Sequence, residues 1–600
     1  MRRAPPAIRD VLRVALRKAL PEAIGGAALA VALGACSGRA STGGEGPAAS
    51  GSAIVGPASA AGSASGAVAE GSPFARLRDA YVEEWLRDEP SQGRVLGLRS
   101  SEGKVAEYGR EAIAKRVERL RRRRAELGAF DQAGLGPEEA FDRALLLYQI
   151  DNALFHLVEL DEPTRLPQYY AELFAVDHYI KRDYAPLAQR AERLVEHEEA
   201  ALAQARGALA NLSPSLSRPV AETGAQIYAG YADYLRKDVV RALAPLGPGP
   251  LRERFERANG ALAAEADAVV GRLREAAKRG EGAHAIGAEK FLGLLRVQEG
   301  FVGTLAEFRE MGEKDLARNR AAYEAAAAKL KPSRPAAEAL LGATTAVVEE
   351  ARAFVVRKGL VTLATEDTAG VRESPPFLRW NSAFLDASGP LDPARDAFYY
   401  VTLPDPAWPA KERAEYVPTY GDISSTTTHE VYPGHFVQLR WLERAPTKVQ
   451  KMVANYSFIE GWAHYAEQMM VEQGFAGGGS AEESRRGQLS DALLRDCRYV
   501  VAHGVHAAGM TLEQAEARFQ RDCHQDRATA RQQARRATFD PGYFAYTYGK
   551  LQILALREEL EAKLGPAFSL RRFHDELLAH GQPPLGLLRT RVLGALAPGR

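Results

Sequence analysis

From residue 73 onward, apolar side chains recur at intervals of three and four, and this periodicity limits more than anything else what the chain can build. Phe74, Leu77, Tyr81 and Trp85 fall on one face with Arg, Asp and Glu between them, the pattern of an amphipathic helix. Residues 141–160 and 186–212 read the same way. Alternating runs of Val, Ile and Thr are few, so the expected fold class is mainly α, a large helical body with a cleft and one small β element. The best strand candidate is 398–402, inside a stretch rich in Pro and aromatic residues at 373–409. Pro/Gly clusters at 244–250 and 331–335 mark loops rather than long linkers, and the cationic run Arg121 to Arg124 reads as a solvated helix face.

The first 72 residues obey other rules. Residues 1–35 carry six cations (Arg2, Arg3, Arg9, Arg13, Arg17, Lys18) against two anions, Asp10 and Glu22. The apolar run that follows, 23–33, is shorter than the about 20 residues that span a bilayer. A charged start, a short apolar stretch and small residues describe a signal peptide. Leu33-Gly34-Ala35-Cys36 resembles the lipobox of bacterial lipoproteins, which implies cleavage before Cys36, lipidation of its thiol and a membrane tether of acyl chains. Ser37 in place of Asp favours the outer membrane, with the body facing the periplasm or the cell surface. Of the 36 residues from 37 to 72, 27 are Gly, Ala or Ser, a flexible linker. The expected organisation is therefore a signal peptide at 1–35, a tethering linker at 36–72 and one helical domain at 73–600, with its motifs concentrated in 373–600.

Composition serves mainly to exclude. With 46% hydrophobic and 26% charged residues the chain is neither disordered nor a disulfide scaffold. A net charge of +1 removes any whole-molecule case for nucleic acid. Beyond Cys36 only Cys497 and Cys523 remain; they form a disulfide if neighbouring helices bring them together, or stay buried thiols.

Chemistry concentrates in Thr428-His429-Glu430-Val431-Tyr432-Pro433-Gly434-His435 and, 25 positions later, Glu460-Gly461-Trp462-Ala463-His464-Tyr465-Ala466-Glu467. Two imidazoles and a carboxylate are the ligands of a catalytic zinc site, and a Glu beside the first His can take a proton from water. His429, His435 and Glu460 are the expected ligands of Zn2+, and Glu430 the base. The spacing departs from H-E-x-x-H, because six residues turn about 240° around a regular helix. Pro433 and Gly434 sit between the two His, and only a kink there would let both reach one ion. Glu467 shares a face with Glu460 and can hold a ligand His from behind. His464, four residues from Glu460, is the competing second imidazole.

These residues, with Arg498, Gly504-Val505-His506, Pro541, Tyr546 and Gly549, resemble the bacterial family catalogued as domain of unknown function 885. The resemblance implies a body at about 73–600 akin to helical metallopeptidases, in a family with many lipoproteins. The wider peptidase group has a precedent for a lengthened motif in dipeptidyl peptidase III-like enzymes, with one extra residue between the His ligands; here there are two. Ala502, His464 and Tyr543 depart from the family pattern, which usually has an acidic, an apolar and a Gln residue there.

Peptide hydrolysis also needs donors for a developing oxyanion. His506 and Tyr546 are the expected transition-state donors, and Arg498 a carboxylate or structural partner. The expected function is a zinc-dependent peptidase acting on short peptides in the cell envelope, with the strand at 398–402 pairing with extended substrate. A metal-dependent amidase acting on cell-wall peptides and a non-catalytic envelope lipoprotein are the alternatives. The sequence does not settle an oligomeric state.

Overall fold

The computed structural model describes residues 71–597 apart from 329, 376, 377 and 380. The expected signal peptide, Cys36 and all but the last two residues of the expected linker lie outside the described residues. Among those described, no helix is long and apolar enough to cross a membrane.

Helices dominate, as the periodicity requires. The longer ones in the first half are α1 (Pro73–Asp88), α2 (Arg110–Gly128), α3 (Pro137–Leu154), α4 (Leu187–Leu209), α5 (Arg218–Tyr234), α6 (Pro250–Arg279), α7 (Ala288–Glu299), α8 (Leu305–Ala327) and α9 (Leu340–Lys358). The helix expected at 141–160 begins earlier, at Pro137, and ends in a wider π turn over Phe155–Glu159. Phe74, Tyr81 and Trp85 of α1 are buried on the face their spacing defines, against Leu145 and Ile150 of α3. A second core joins α4, α5 and α6 through Leu194, Tyr228 and Leu262. Arg121, Arg122 and Arg124 are exposed, whereas Arg123 is half-buried and paired with Glu84 at 2.7 Å.

A three-stranded sheet interrupts the helices: β1 (Gly370–Glu373), β2 (Ala383–Ala387) and β3 (Ala397–Val401), in the order β1-β3-β2. β1 runs parallel and β2 antiparallel to β3. The strand expected at 398–402 is thus β3, and it is central. Both of its edges are occupied, so it has no backbone left to pair with a substrate, which corrects the expectation above. In the antiparallel pair, Ser382 bonds to Thr402 and Ser388 to Asp396, so by alternation Ala383, Leu385 and Ala387 turn their backbone groups to the outer edge of β2.

The remaining helices are α10 (Tyr420–Glu430), α11 (His435–Leu442), α12 (Tyr456–Glu472), α13 (Ala481–Ala507), α14 (Leu512–Cys523), α15 (Arg527–Arg536), α16 (Ala545–Leu564), α17 (Leu570–Leu578) and α18 (Leu585–Leu596). α10 opens on a reciprocal cap, Thr419 Oγ1 accepting the Asp422 N–H at 3.1 Å and Asp422 accepting the Thr419 N–H at 2.9 Å. Asn455 caps α12 by accepting the Phe458 N–H at 2.8 Å. Such caps stabilise a helix by about 1 kcal/mol each and fix where it starts. α12 and α16 cross in close contact: a Cβ on Gly549 would fall 1.8 Å from the Ser457 carbonyl, and one on Gly461 would fall 2.5 Å from Gly549. Behind them Phe458, Trp462, Tyr465, Ile553 and Phe573 form the C-terminal core. Cys497 of α13 and Cys523 of α14 are disulfide-bonded, with Cα atoms 6.3 Å apart, which decides between the two options the sequence leaves open.

Candidate metal centre

The six-residue spacing is resolved by a break. α10 ends at Glu430 and α11 begins at His435, so the two His occupy different helices. Pro433 cannot donate to a helical ladder, and the Gly434 N–H turns back to the Thr428 carbonyl at 3.0 Å. Only glycine fits there, because a Cβ would lie 1.8 Å from the His429 carbonyl oxygen. Trp462 Nε1 donates to the Pro433 carbonyl at 3.0 Å and ties the break to α12. The two imidazole rings come to 4.7 Å between centroids, at 84°.

Glu460 of α12 completes the group. Its Oε2 lies 3.4 Å from His429 Nε2 and 3.6 Å from His435 Nε2. Among the described residues these three form the cluster able to hold a metal ion, with one ligand atom from each within 4.8 Å of the others. Tetrahedral ligands at 2.0–2.2 Å from zinc stand roughly 3.3–3.6 Å apart, so both distances fit one ion.

Protonation points the same way. His429 Nδ1 lies 2.6 Å from Glu467 Oε1 and 3.2 Å from Arg495 Nη2. One nitrogen cannot both donate and accept; the shorter contact, to a carboxylate, makes Nδ1 the N–H donor. His435 Nδ1 likewise faces the Gln438 side-chain oxygen at 3.3 Å. Both Nε2 atoms then present lone pairs to the Glu460 oxygen, which is buried and has no hydrogen-bond donor. Three converging lone pairs require a cation between them, a proton or a metal. In the protonated form, burial and Arg495 pull His429 down, but hydrogen bonds to Glu460 and Glu467 outweigh them and push it up to about 10. Burial raises the Glu460 carboxyl, yet the two His hold it well below the usual carboxylate range.

The competing ligand His464 is turned elsewhere. Its Nδ1 faces Glu467 Oε2 at 3.2 Å, and it is not in the cluster. Burial, with Lys550 adding, pushes it down to about 3, so it is a neutral support for Glu467. Glu467 is fully buried and receives Arg495 Nη2 at 3.2 Å. Arg495 is absent from the expectations drawn above; the available signal was a cation one turn before Arg498 on the same helix.

Glu430 Oε2 accepts the Leu385 N–H at 2.9 Å, across from the outer edge of β2. Tyr546 is buried at the α12–α16 crossing, with its ring 5.5 Å from Tyr456. Burial, then the nearby Glu460 charge, push its hydroxyl above the ordinary value, so it keeps its proton. Arg498 lies over the Tyr546 and Tyr543 rings, 5.1 Å from each, and donates Nε to Gln533 at 3.0 Å. His506 corrects the expectation that made it a transition-state donor. Its Nε2 is spent on the Ala537 carbonyl at 2.5 Å, its ring stacks on Phe291, and it is 1% exposed.

The chain belongs to the family of bacterial proteins of unknown function described as DUF885, whose model matches residues 90–592. Two solved structures share its fold. A lipoprotein candidate of unknown function from Shewanella oneidensis is 22% identical, with a TM-score of 0.72, over 87% of this chain and 99% of that one. A lipoprotein candidate from Colwellia psychrerythraea is 16% identical, with a TM-score of 0.70 and the same coverage. No curated protein matches the chain.

Proposed function

We propose that this protein is a zinc-dependent peptidase that hydrolyses peptide bonds of short peptides. The observation that carries the reading is the convergence of His429, His435 and Glu460 lone pairs directly beside Glu430. Two imidazoles and one carboxylate suit zinc and leave a fourth position open. When bound, such an ion supplies Lewis acidity, polarising a carbonyl and acidifying water. Glu430, anchored through Oε2 on Leu385, offers Oε1 to receive the proton of the attacking water and pass it to the leaving amine. Tyr546, protonated and next to Glu460, is the donor for the developing oxyanion. An extended substrate has the outer edge of β2 to pair with, at the part-exposed Ala383.

We further propose export and a lipid anchor at Cys36. The lipobox-like residues, the lipoprotein descriptions of both structural neighbours and a disulfide suited to an oxidising compartment support this.

The test is zinc content together with turnover of a mixed oligopeptide pool by the purified full chain. Zinc at one per chain and hydrolysis abolished by chelation support the reading. Zinc without hydrolysis of any peptide rejects the enzyme, and no zinc rejects the site. Membrane fractionation of Cys36→Ala against the parent tests the anchor.

A further inference from the structure

β2 leads from the candidate metal centre to a second feature. Leu385 holds Glu430, and two residues on, about 7 Å along the strand, Ala387 enters the wall of a partly open cavity. None of the metal-centre residues lines it. Its walls are the turn after β2 (Ser388, Gly389), the helical turn of residues 90–95 and the segment 172–184.

Four cations line this cavity, and three have carboxylate partners: Arg99 with Asp392 at 3.0 Å, Lys181 with Asp177 at 3.5 Å, and Arg182 with Asp386 at 2.8 Å between Nε and Oδ2. Arg94 differs. It is 7% exposed, and its Nη1 donates only to the Ser101 and Lys104 carbonyls, at 3.4 and 2.6 Å. Among the described residues no carboxylate lies within ion-pairing distance of it. A guanidinium does not shed its proton, so Arg94 carries its charge against two backbone carbonyls and no carboxylate partner. Its field is felt nearby: burial, with Lys181 and Arg94 adding, holds His178 down to about 4, leaving that ring neutral. Glu172 and Asp396 also line the cavity without an ion pair, but both are more exposed than Arg94, and Glu172 accepts the Ala106 N–H at 3.5 Å. A carboxylate can protonate, which a guanidinium cannot, so the demand for a partner falls on Arg94.

We infer that this cavity is a subsite for a carboxylate group of the peptide substrate, taken by Arg94 with Lys181 beside it. The identity of the ligand as a peptide rests on the peptidase reading; the demand for a carboxylate does not. β2 runs from Leu385, which holds Glu430, to Ala387 in the cavity wall, so the group is either a chain-terminal carboxylate or an acidic side chain of the substrate.

The experiment uses the full-length Glu430→Gln protein with zinc chloride present, so that binding is read without turnover. Calorimetric titration compares three probes: acetyl-Ala-Ala-Ala, its C-terminal amide, and acetyl-Glu-Ala-Ala amide. At least one carboxylate-bearing peptide is expected to bind tenfold or more tightly than the neutral amide, and which one does so identifies the source. Adding Arg94→Gln is expected to abolish that preference while leaving the neutral amide unchanged. Lys181→Met is expected to reduce it about threefold or more, and it decides the matter if Arg94→Gln does not fold. Equal binding of charged and neutral peptides, a preference that survives both substitutions, a preference for a free amino terminus, or no binding of any probe overturns the inference. Failure of the peptidase reading shows separately, as a parent protein that discriminates among the probes yet hydrolyses none.

Discussion

Glu467 Oε1 sits 2.6 Å from His429 Nδ1 and fixes which nitrogen of that ring faces Glu460. Arg495, 3.2 Å from the same oxygen, keeps Glu467 charged despite complete burial, which alone would raise its carboxyl. Carboxylates placed behind a metal-binding His typically contribute 10- to 100-fold in affinity. Glu467→Gln is therefore expected to weaken zinc binding by about that factor, measured by competition with a chromogenic chelator. Arg495→Met removes the counter-charge instead and is expected to cost about 3–5 kcal/mol in urea unfolding, with Arg495→Lys recovering part of it. Unchanged zinc affinity in Glu467→Gln would remove Glu467 from the site.

Glu430 differs from these supports because its side chain is held by the Leu385 N–H rather than by a proposed ligand. Glu430→Gln keeps a group of the same shape but loses the base. Zinc content is expected to stay at the parent level while kcat falls about 10²–10⁴-fold. Loss of metal along with activity would instead make Glu430 part of the zinc-binding apparatus.

Away from the centre, Glu299 ends α7 and is 3% exposed, accepting from Ser457 Oγ at 2.8 Å at the start of α12. Burial pushes its carboxyl up to about 7, against opposing bonds from Ser457 and Asn455. A raised folded-state value means the folded chain binds this proton more tightly than the unfolded chain does. Stability is therefore lost as pH rises from about 4.5 to 7 and is level above that, by up to about 3 kcal/mol. In Glu299→Gln the slope should shrink by that contribution, since burial also raises Asp142, Asp491 and Asp496 over the same range, and the variant should be more stable than the parent at pH 8. Urea midpoints at pH 5 and pH 8 check it, and an unaltered slope would exclude Glu299 as its source.

The Cys497–Cys523 bond closes a loop of 26 residues between α13 and α14. Restricting a loop of that length in the unfolded chain is worth about 3 kcal/mol. The double Cys→Ser variant is expected to lose that much in chemical unfolding and to become insensitive to reductant. A parent protein whose stability does not respond to reductant would contradict this.

What could be read from the sequence follows from which interactions are local. The helical class and the buried faces of α1 and α3 came from spacing alone. His429, Glu430, Glu460 and Glu467 stood out because carboxylates and imidazoles are rare in apolar helices. The choice between His435 and His464 was illegible, because four-residue spacing puts His464 on the face of Glu460, and only its contact with Glu467 turns it away. His506 was misjudged because helical periodicity gives a side chain's direction but not its partner, and here the partner is the carbonyl of Ala537, 31 residues on. β2, Ala383-Phe384-Leu385-Asp386-Ala387, has no β-branched residue. Its strand exists because β3 pairs with it, so β3 looked like the available strand when it is the enclosed one.

The break at Pro433 and Gly434 gives each proposed ligand its own helix, α10, α11 or α12. In an H-E-x-x-H helix a pair of ligands is prearranged by one helical turn, and a short peptide already chelates. Here no stretch of local structure contains two. On the zinc reading an ion would bind only after three segments have docked, and its binding energy would become cohesion among them. Withdrawing it should loosen the joint between α10 and α11 and leave each helix itself intact.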